Sequence, residues 1–231
     1  MIARLRRALQ TAVPAPVGAK LDVLLGDLAR PAREAHERAL PRPRLSERHV
    51  ANCEVLLDRR AMLAQVAPGS VVAEVGVDRG AFSRQILDVA RPAELHLVDV
   101  WASERYHEGL YRQVTAAFAD EIAAGRVHVH RGASVAAAPE FADGTLDWVY
   151  IDTDHSYETT RDELAAYAPK VAPGGVLAGH DYLVGNWVAG NRYGVMEAVH
   201  EFCVARDWEL VALTAVLTEK PSFAIRRIGD A

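Results

Sequence analysis

Two short runs hold the densest chemistry in this chain of 231 residues. The first is Val149-Tyr150-Ile151-Asp152-Thr153-Asp154-His155-Ser156-Tyr157-Glu158. There Asp152, Asp154 and His155 stand where an apolar stretch opens into polar sequence. The second is Ala178-Gly179-His180-Asp181-Tyr182. Both apolar stretches read as buried parallel strands, and loops leaving adjacent parallel strands share the carboxyl edge at which α/β sheets bind ligands. Asp152 and Asp181 can therefore converge although a whole β/α unit separates them in sequence. Two carboxylates with a third ligand and waters make an oxygen-rich set that suits Mg²⁺ ahead of Mn²⁺. Such an ion holds a substrate hydroxyl and lowers its pKa, while His155 or His180 takes the proton. The plainer reading has these acids capping the next helix and pairing with Arg161.

A second constellation precedes them. Val71 to Val77 is an apolar run interrupted by Glu74 and Gly76, and Gly80 opens a segment of helical character. Strand, glycine turn and helix start follow in that order. Gly76, without a Cβ, admits close approach to the backbone, and amides after Gly80 face a ligand's polar atoms. The turn Glu74-x-Gly76-x-x-x-Gly80 differs from the dinucleotide fingerprint, because Asp78 replaces its middle glycine. An acid there repels a diphosphate and suits a cationic ligand, such as a sulfonium with an ammonium. Asp99 ends the next strand, at the distance from Gly76 where a carboxylate accepts from ribose hydroxyls. Val100 or Trp101 would flank an adenine ring. Ser134 either meets the adenine edge or is an N-cap. Glu74, Gly76, Val77, Asp78, Gly80, Asp99, Val100, Trp101, Ser134 and Asp152 form the candidate cofactor-binding set.

Alternating elements must position these groups. Strands are predicted over 71–77, 94–100, 127–130, 146–152, 175–180, 209–214 and 222–227. Helices are predicted over about 81–90, 106–124, 133–139, 157–170 and 193–206. Five β/α units imply a doubly wound, mostly parallel α/β sheet. The short link around 216–221 permits only an antiparallel final pair, giving seven strands. Residues 1–66 read as an α-helical N-terminal extension and 67–231 as the catalytic domain. In the extension Leu21, Leu24, Leu25 and Leu28 keep helical spacing, and Ser46 caps a helix over about 47–66. Residues 1–60 carry a formal charge of +5 and the remainder −10. Segment 1–60 has no Phe, Trp or Tyr to stack a base, so it reads as a helical, subunit-packing extension rather than a nucleic-acid arm. No apolar run reaches membrane-span length. Cys53 and Cys203 form no motif, so a reduced cytoplasmic protein is the default. His128 and His130 share a strand face but lack a third ligand at zinc spacing. His36, His49, His96, His107 and His200 read as surface or core, and Trp148 and Tyr150 as core.

With these residues assembled, the chain resembles the class I S-adenosylmethionine-dependent methyltransferases, and more narrowly the macrocin O-methyltransferase-like sugar methyltransferases. The matching stretches are Glu-Val-Gly-Val-Asp-Arg-Gly (74–80), Val-Asp-Val-Trp (98–101), Ile-Asp-Thr-Asp-His-Ser-Tyr-Glu (151–158) and Pro-Gly-Gly-Val-Leu-Ala-Gly-His-Asp-Tyr (173–182), with Tyr-Gly-Val-Met-Glu-Ala-Val (193–199) in the following helix. The resemblance covers about 70–228. It implies that Glu74, Gly76 and Gly80 line the methionine part of the cofactor and that Asp99 holds the ribose. In metal-dependent members, acids matching Asp152 and positions 180–181 bind Mg²⁺. Here the pair is His180-Asp181: His180 is a poorer Mg²⁺ ligand, the catalytic base or a sign that the metal is lost, and Asp154 is a candidate to fill the place. The expectation is in-line methyl transfer to a small-molecule hydroxyl, a sugar ahead of a phenol or catechol, with Mg²⁺ on Asp152, Asp154 and Asp181. His155, His180 and Asp181 are the catalytic candidates, and a mobile lid is expected over 182–194. Expected partners are the substrate and further copies of the chain, joined through the N-terminal helices, with no nucleic acid and no membrane. The alternatives are a non-catalytic S-adenosylmethionine-binding partner protein and a nicotinamide-dependent oxidoreductase.

Overall fold

The computed structural model describes residues 28, 30–186, 190–216 and 218–229. The leucine spacing over 21–25 and the centre of the expected lid, 187–189, lie outside the described residues. The chain divides into two compact units, Met1–Pro41 and Arg42–Ala231. In the first, residues 30–39 are helical and almost wholly exposed.

The second unit is an eight-stranded sheet. Its strands are β1 (Glu54–Leu56), β2 (Val71–Val75), β3 (Glu94–Asp99), β4 (Val127–Arg131), β5 (Leu146–Ile151), β6 (Val171–Gly179), β9 (Trp208–Thr214) and β10 (Phe223–Arg227). A separate two-stranded hairpin, β7 (Gly185–Asn186) and β8 (Asn191–Arg192), lies in the expected lid segment. The order across the large sheet is β1-β9-β10-β6-β5-β2-β3-β4. Only β10 runs antiparallel to its neighbours β6 and β9, as its short link to β9 requires. The order reverses between β2 and β5, so the crevice of a doubly wound fold opens outside their carboxyl ends.

Helices α1 (Arg59–Leu63), α2 (Ala81–Val89), α3 (Glu108–Ala117), α4 (Ala119–Ala123), α5 (Ser134–Ala137), α6 (Tyr157–Tyr167) and α7 (Val195–Arg206) cover the sheet. Both faces are buried, which is why the strands read as continuous apolar runs. Ala73, Val75, Val149 and Ile151 enter one core, and Val72, Trp148 and Tyr150 enter the other.

Two expected helices change. The one over 47–66 becomes a 3-10 turn (Glu47–His49), strand β1 and helix α1. Parallel pairing with β9, from Glu54↔Ala212 to Leu56↔Thr214, gives β1 its hydrogen-bond partners. Asp58 then starts α1 by accepting from the Ala61 amide at 2.8 Å. Ser46 precedes only the 3-10 turn, so residues 42–66 belong with the sheet. The helix over 106–124 breaks at Phe118, whose buried ring packs under the Arg84 guanidinium at 4.4 Å.

Candidate functional site

The turn after β2 is built from backbone amides on one carboxylate. Asp99 Oδ2 accepts from the amides of Val77 and Asp78, each at 2.9 Å, and Oδ1 accepts from the Trp101 amide at 3.3 Å. A carboxylate offers about four acceptor directions, so one on Oδ1 is not taken by these amides. Gly76 sits at φ +94, and a Cβ there would lie 2.0 Å from the Asp152 carbonyl oxygen. Its freedom is used to pass the β5 loop rather than a ligand, so the two loops at the switch point are in direct contact. Gly80, at φ +77, begins α2 against the Phe118 ring.

Of the candidate cofactor residues, Val77 is buried and contributes its amide alone. Val100 is exposed at the sheet edge. Trp101 does not flank a ligand: its indole is fully buried and donates to the Asp78 carbonyl at 3.2 Å. The aromatic ring thus braces the turn from behind, and of the two residues only Val100 is exposed. Ser134 is the first residue of α5 and follows the N-cap Ala133. Its carbonyl accepts from Tyr167 at 2.9 Å. Glu74 is buried beneath the turn and accepts from the Ser83 hydroxyl. Burial raises its carboxyl to about 8, against the lowering effect of Ser83, and Asp152 adds to the rise.

The second constellation assembles because Ile151 pairs with Gly179 in register. Asp152, donating its amide to Val75, and His180, donating its amide to Ile151, leave neighbouring strand ends. His155 Nε2 lies 3.0 Å from Asp152 Oδ1 and 2.9 Å from Asp181 Oδ2. His180 Nδ1 is 3.6 Å from Asp152 and 3.5 Å from Asp181, and its buried Nε2 has no hydrogen-bond partner. Burial alone would lower His155, but its bonds to Asp152 and Asp181 raise it to about 9. Burial alone would raise Asp181, but bonds from His155 and His180, the His155 charge and Lys220 hold it far below the carboxylate range. Among the described residues, the donor atoms of Asp152, His155 and Asp181 all lie within 4.8 Å of one another.

Asp154 is not in that group. Its Oδ1 accepts from the Ser156 amide at 2.8 Å and its Oδ2 from the Thr159 hydroxyl at 2.9 Å. Both oxygens face the start of α6, as the helix-capping alternative has it, and Arg161 pairs with Asp162 instead.

Six non-glycine residues among those described have positive φ, and four of them belong to this site: Asp78 (+51), Trp101 (+38), His155 (+65) and Asp181 (+57). Such geometry costs ~1–3 kcal/mol per residue and collects at functional sites.

Lys220, Tyr193 and Glu163 lie around the cluster, and of these only Tyr193 falls in a stretch the sequence singled out. Lys220, in the β9–β10 connection, places Nζ 3.0 Å from Asp181 Oδ1. It also donates to the Tyr193 hydroxyl at 2.9 Å, and the Tyr193 ring lies 5.0 Å from that of His155. Buried Glu163 accepts from Thr153 at 3.0 Å, and burial pushes it up to about 7. The third histidine missing beside His128 and His130 is His96, one strand over. His96 Nδ1 meets His130 Nε2 at 3.0 Å, and the His96 ring stacks on His128 at 4.8 Å. Burial and the two neighbouring imidazoles push His96 down to about 4.

Strand order and the terminal antiparallel pair define the class I methyltransferase fold, α/β and Rossmann-like. Solved structures agree. A protein from Corynebacterium glutamicum superposes with a TM-score of 0.55 at 16% identity, over 86% of this chain and 88% of that one. A SAM-dependent methyltransferase from Aquifex aeolicus gives 0.53 at 14%, over 74% and 89%. Geranyl diphosphate methyltransferase, in complex with GPP and sinefungin, gives 0.56 at 11%, over 74% and 78%. At these identities the likeness is one of fold. A search of the curated proteins finds no match. Residues 73–182 match the family model described as "Methyltransferase domain". The chain therefore carries a match to a methyltransferase domain over residues 73–182, within a fold of the same class. Among the described residues, no helix is long and apolar enough to cross a membrane.

Proposed function

We propose that the protein transfers a methyl group from S-adenosylmethionine to a hydroxyl of a small molecule, a sugar ahead of a phenol. The observation that carries this reading is the His155 imidazole, held between Asp152 and Asp181 on loops that abut the cofactor turn. The turn suits the methyl donor: Asp78 favours a cationic ligand over a diphosphate, and Asp99 keeps one acceptor direction open. When bound, the sulfonium makes its methyl group electrophilic. The chain itself must align the acceptor oxygen, exclude water and take a proton. Asp152 and Asp181 accept from Nε2–H of His155 and raise the ring to about 9, so Nδ1 takes a proton only in the neutral fraction, which grows as pH rises toward that value. A base oriented by a carboxylate is the general arrangement for activating a hydroxyl. His180, with its unpartnered Nε2, is the second candidate base.

Magnesium assistance, which the resemblance implies, meets a donor set that does not fit it. Mg²⁺ favours near-octahedral oxygen ligation. Here one of the three converging donors is an imidazole, Asp154 faces a helix end, and an ammonium lies against Asp181.

Calorimetry tests the cofactor. S-adenosylhomocysteine should bind, and Asp99→Ala should weaken it about tenfold or more, because a hydrogen bond to a charged group is lost. Binding of NAD with no response to S-adenosylhomocysteine would overturn the reading. Incubating a panel of sugars and phenols with methyl-labelled cofactor then identifies the acceptor class.

A further inference from the structure

We propose that the Lys220 ammonium is the fixed positive charge of this active site, standing against Asp181 where a metal-dependent methyltransferase would hold a divalent ion. The proposal rests on the methyl-transfer reading above and deepens it.

The geometry is specific. Lys220 Nζ lies 3.0 Å from Asp181 Oδ1, 2.9 Å from the Tyr193 hydroxyl oxygen and 5.1 Å from the Tyr193 ring centroid. Asp181 has a side chain only 3% exposed, so its charge must be met by neighbours within the protein. His155 and His180 both approach Oδ2, and Lys220 faces Oδ1. The connection that carries Lys220 is tied to the same loop, since the Tyr182 amide donates to the Pro221 carbonyl at 2.9 Å. The lysine side chain itself is 36% exposed, so its head reaches both the buried acid and an incoming ligand.

An ammonium has three donors and no acceptor. Tyr193 takes one and Asp181 faces the ammonium as an ion pair, which leaves a donor for the oxygen of an acceptor hydroxyl. A positive charge beside that hydroxyl favours its ionised form, the service a metal ion otherwise provides. Lysine does this as a compact point charge and needs no octahedral shell. The same charge repels a divalent ion from the Asp152 and Asp181 pair, because like charges a few ångströms apart in a partly buried site are weakly screened.

The test uses Mn²⁺ as a spin-active probe on the intact protein, with S-adenosylhomocysteine binding followed in parallel. Wild type should show no Mn²⁺ site at millimolar ion. Lys220→Met, which keeps the length and removes the charge, should create one, at least about tenfold tighter than any residual wild-type binding. Asp181→Asn in the Lys220→Met background should abolish it, and Lys220→Arg should keep the ion out. Mn²⁺ binding to wild type that Asp181→Asn removes would overturn the proposal, whether or not Lys220→Met folds. So would a folded Lys220→Met protein that binds no more ion than wild type. Loss of S-adenosylhomocysteine binding in wild type instead strikes the methyl-transfer reading and leaves the Mn²⁺ outcome to judge Lys220 separately.

Discussion

Glu74 lies on the central strand, 2% exposed, with the Ser83 hydroxyl as its hydrogen-bond donor. Burial moves its titration from 4.5 to about 8. Between those values the folded protein holds a proton that the unfolded chain has released. The stabilisation is therefore fully present below about 4.5 and is lost as pH rises through about 8. At ~1.4 kcal/mol per pH unit this amounts to a few kcal/mol. Thermal melts of the ligand-free protein from pH 5 to pH 9 should fall steeply for wild type and much less for Glu74→Gln. Glu163, raised to about 7, leaves a smaller slope of the same sign. Equal slopes in the two proteins would remove Glu74 as the source. An acid inside an apolar run was visible in the sequence as an anomaly. What faces it was not, since Ser83 reaches it only once α2 has folded back on β2. Asp99 was legible for the opposite reason: a strand end fixes where a carboxylate points. Trp101 misled because its aromatic character suited a ligand, while its neighbours bury it.

Helix α6 shows how an element decides the role of a residue. Ser156 is its N-cap, accepting from the Thr159 amide at 3.2 Å, and Asp154 braces that cap from two positions upstream. Helix N-termini leave amides without partners, and acceptors there contribute ~1 kcal/mol. Asp154→Ala should therefore cost about 1 kcal/mol in denaturant melts and leave S-adenosylhomocysteine affinity unchanged. Unchanged stability with weakened ligand binding would return Asp154 to the site. The β/α alternation from β2 to β6 was legible because each strand is apolar and each link is punctuated by glycine, proline or an acid. The edge strand β1 was not. It has three residues, its burial pattern does not alternate, and its partner β9 lies far along the chain. Local periodicity carries no record of such pairing. Lys220 escaped notice for the same reason, because only the closing antiparallel pair of strands brings its connection to Asp181.

At the scale of the whole molecule, charge and fold divide along similar lines. Segment 1–60 carries +5 and the rest of the chain −10. The sheet, both cores and every group of the candidate site lie within Arg42–Ala231. Residues 30–36 of the other unit are helical and exposed throughout. Helical stability in water comes mostly from tertiary packing, so an exposed helical stretch gains from a surface to pack on. We propose a second copy of the chain, presenting its acidic unit to the basic segment, as that surface. Removal of residues 1–41 should then leave S-adenosylhomocysteine affinity and the melting transition of the remaining unit intact. In sedimentation, the full-length chain should run as a dimer or larger assembly and the shortened one as a monomer. Raising salt should loosen the full-length assembly, since charge attraction is screened beyond ~8 Å at physiological ionic strength. A shortened protein that keeps the size of the full-length assembly would place the subunit contact on the sheet unit instead. The exposed Val55 and Leu57, at and beside the edge strand β1, would then be the first residues to substitute.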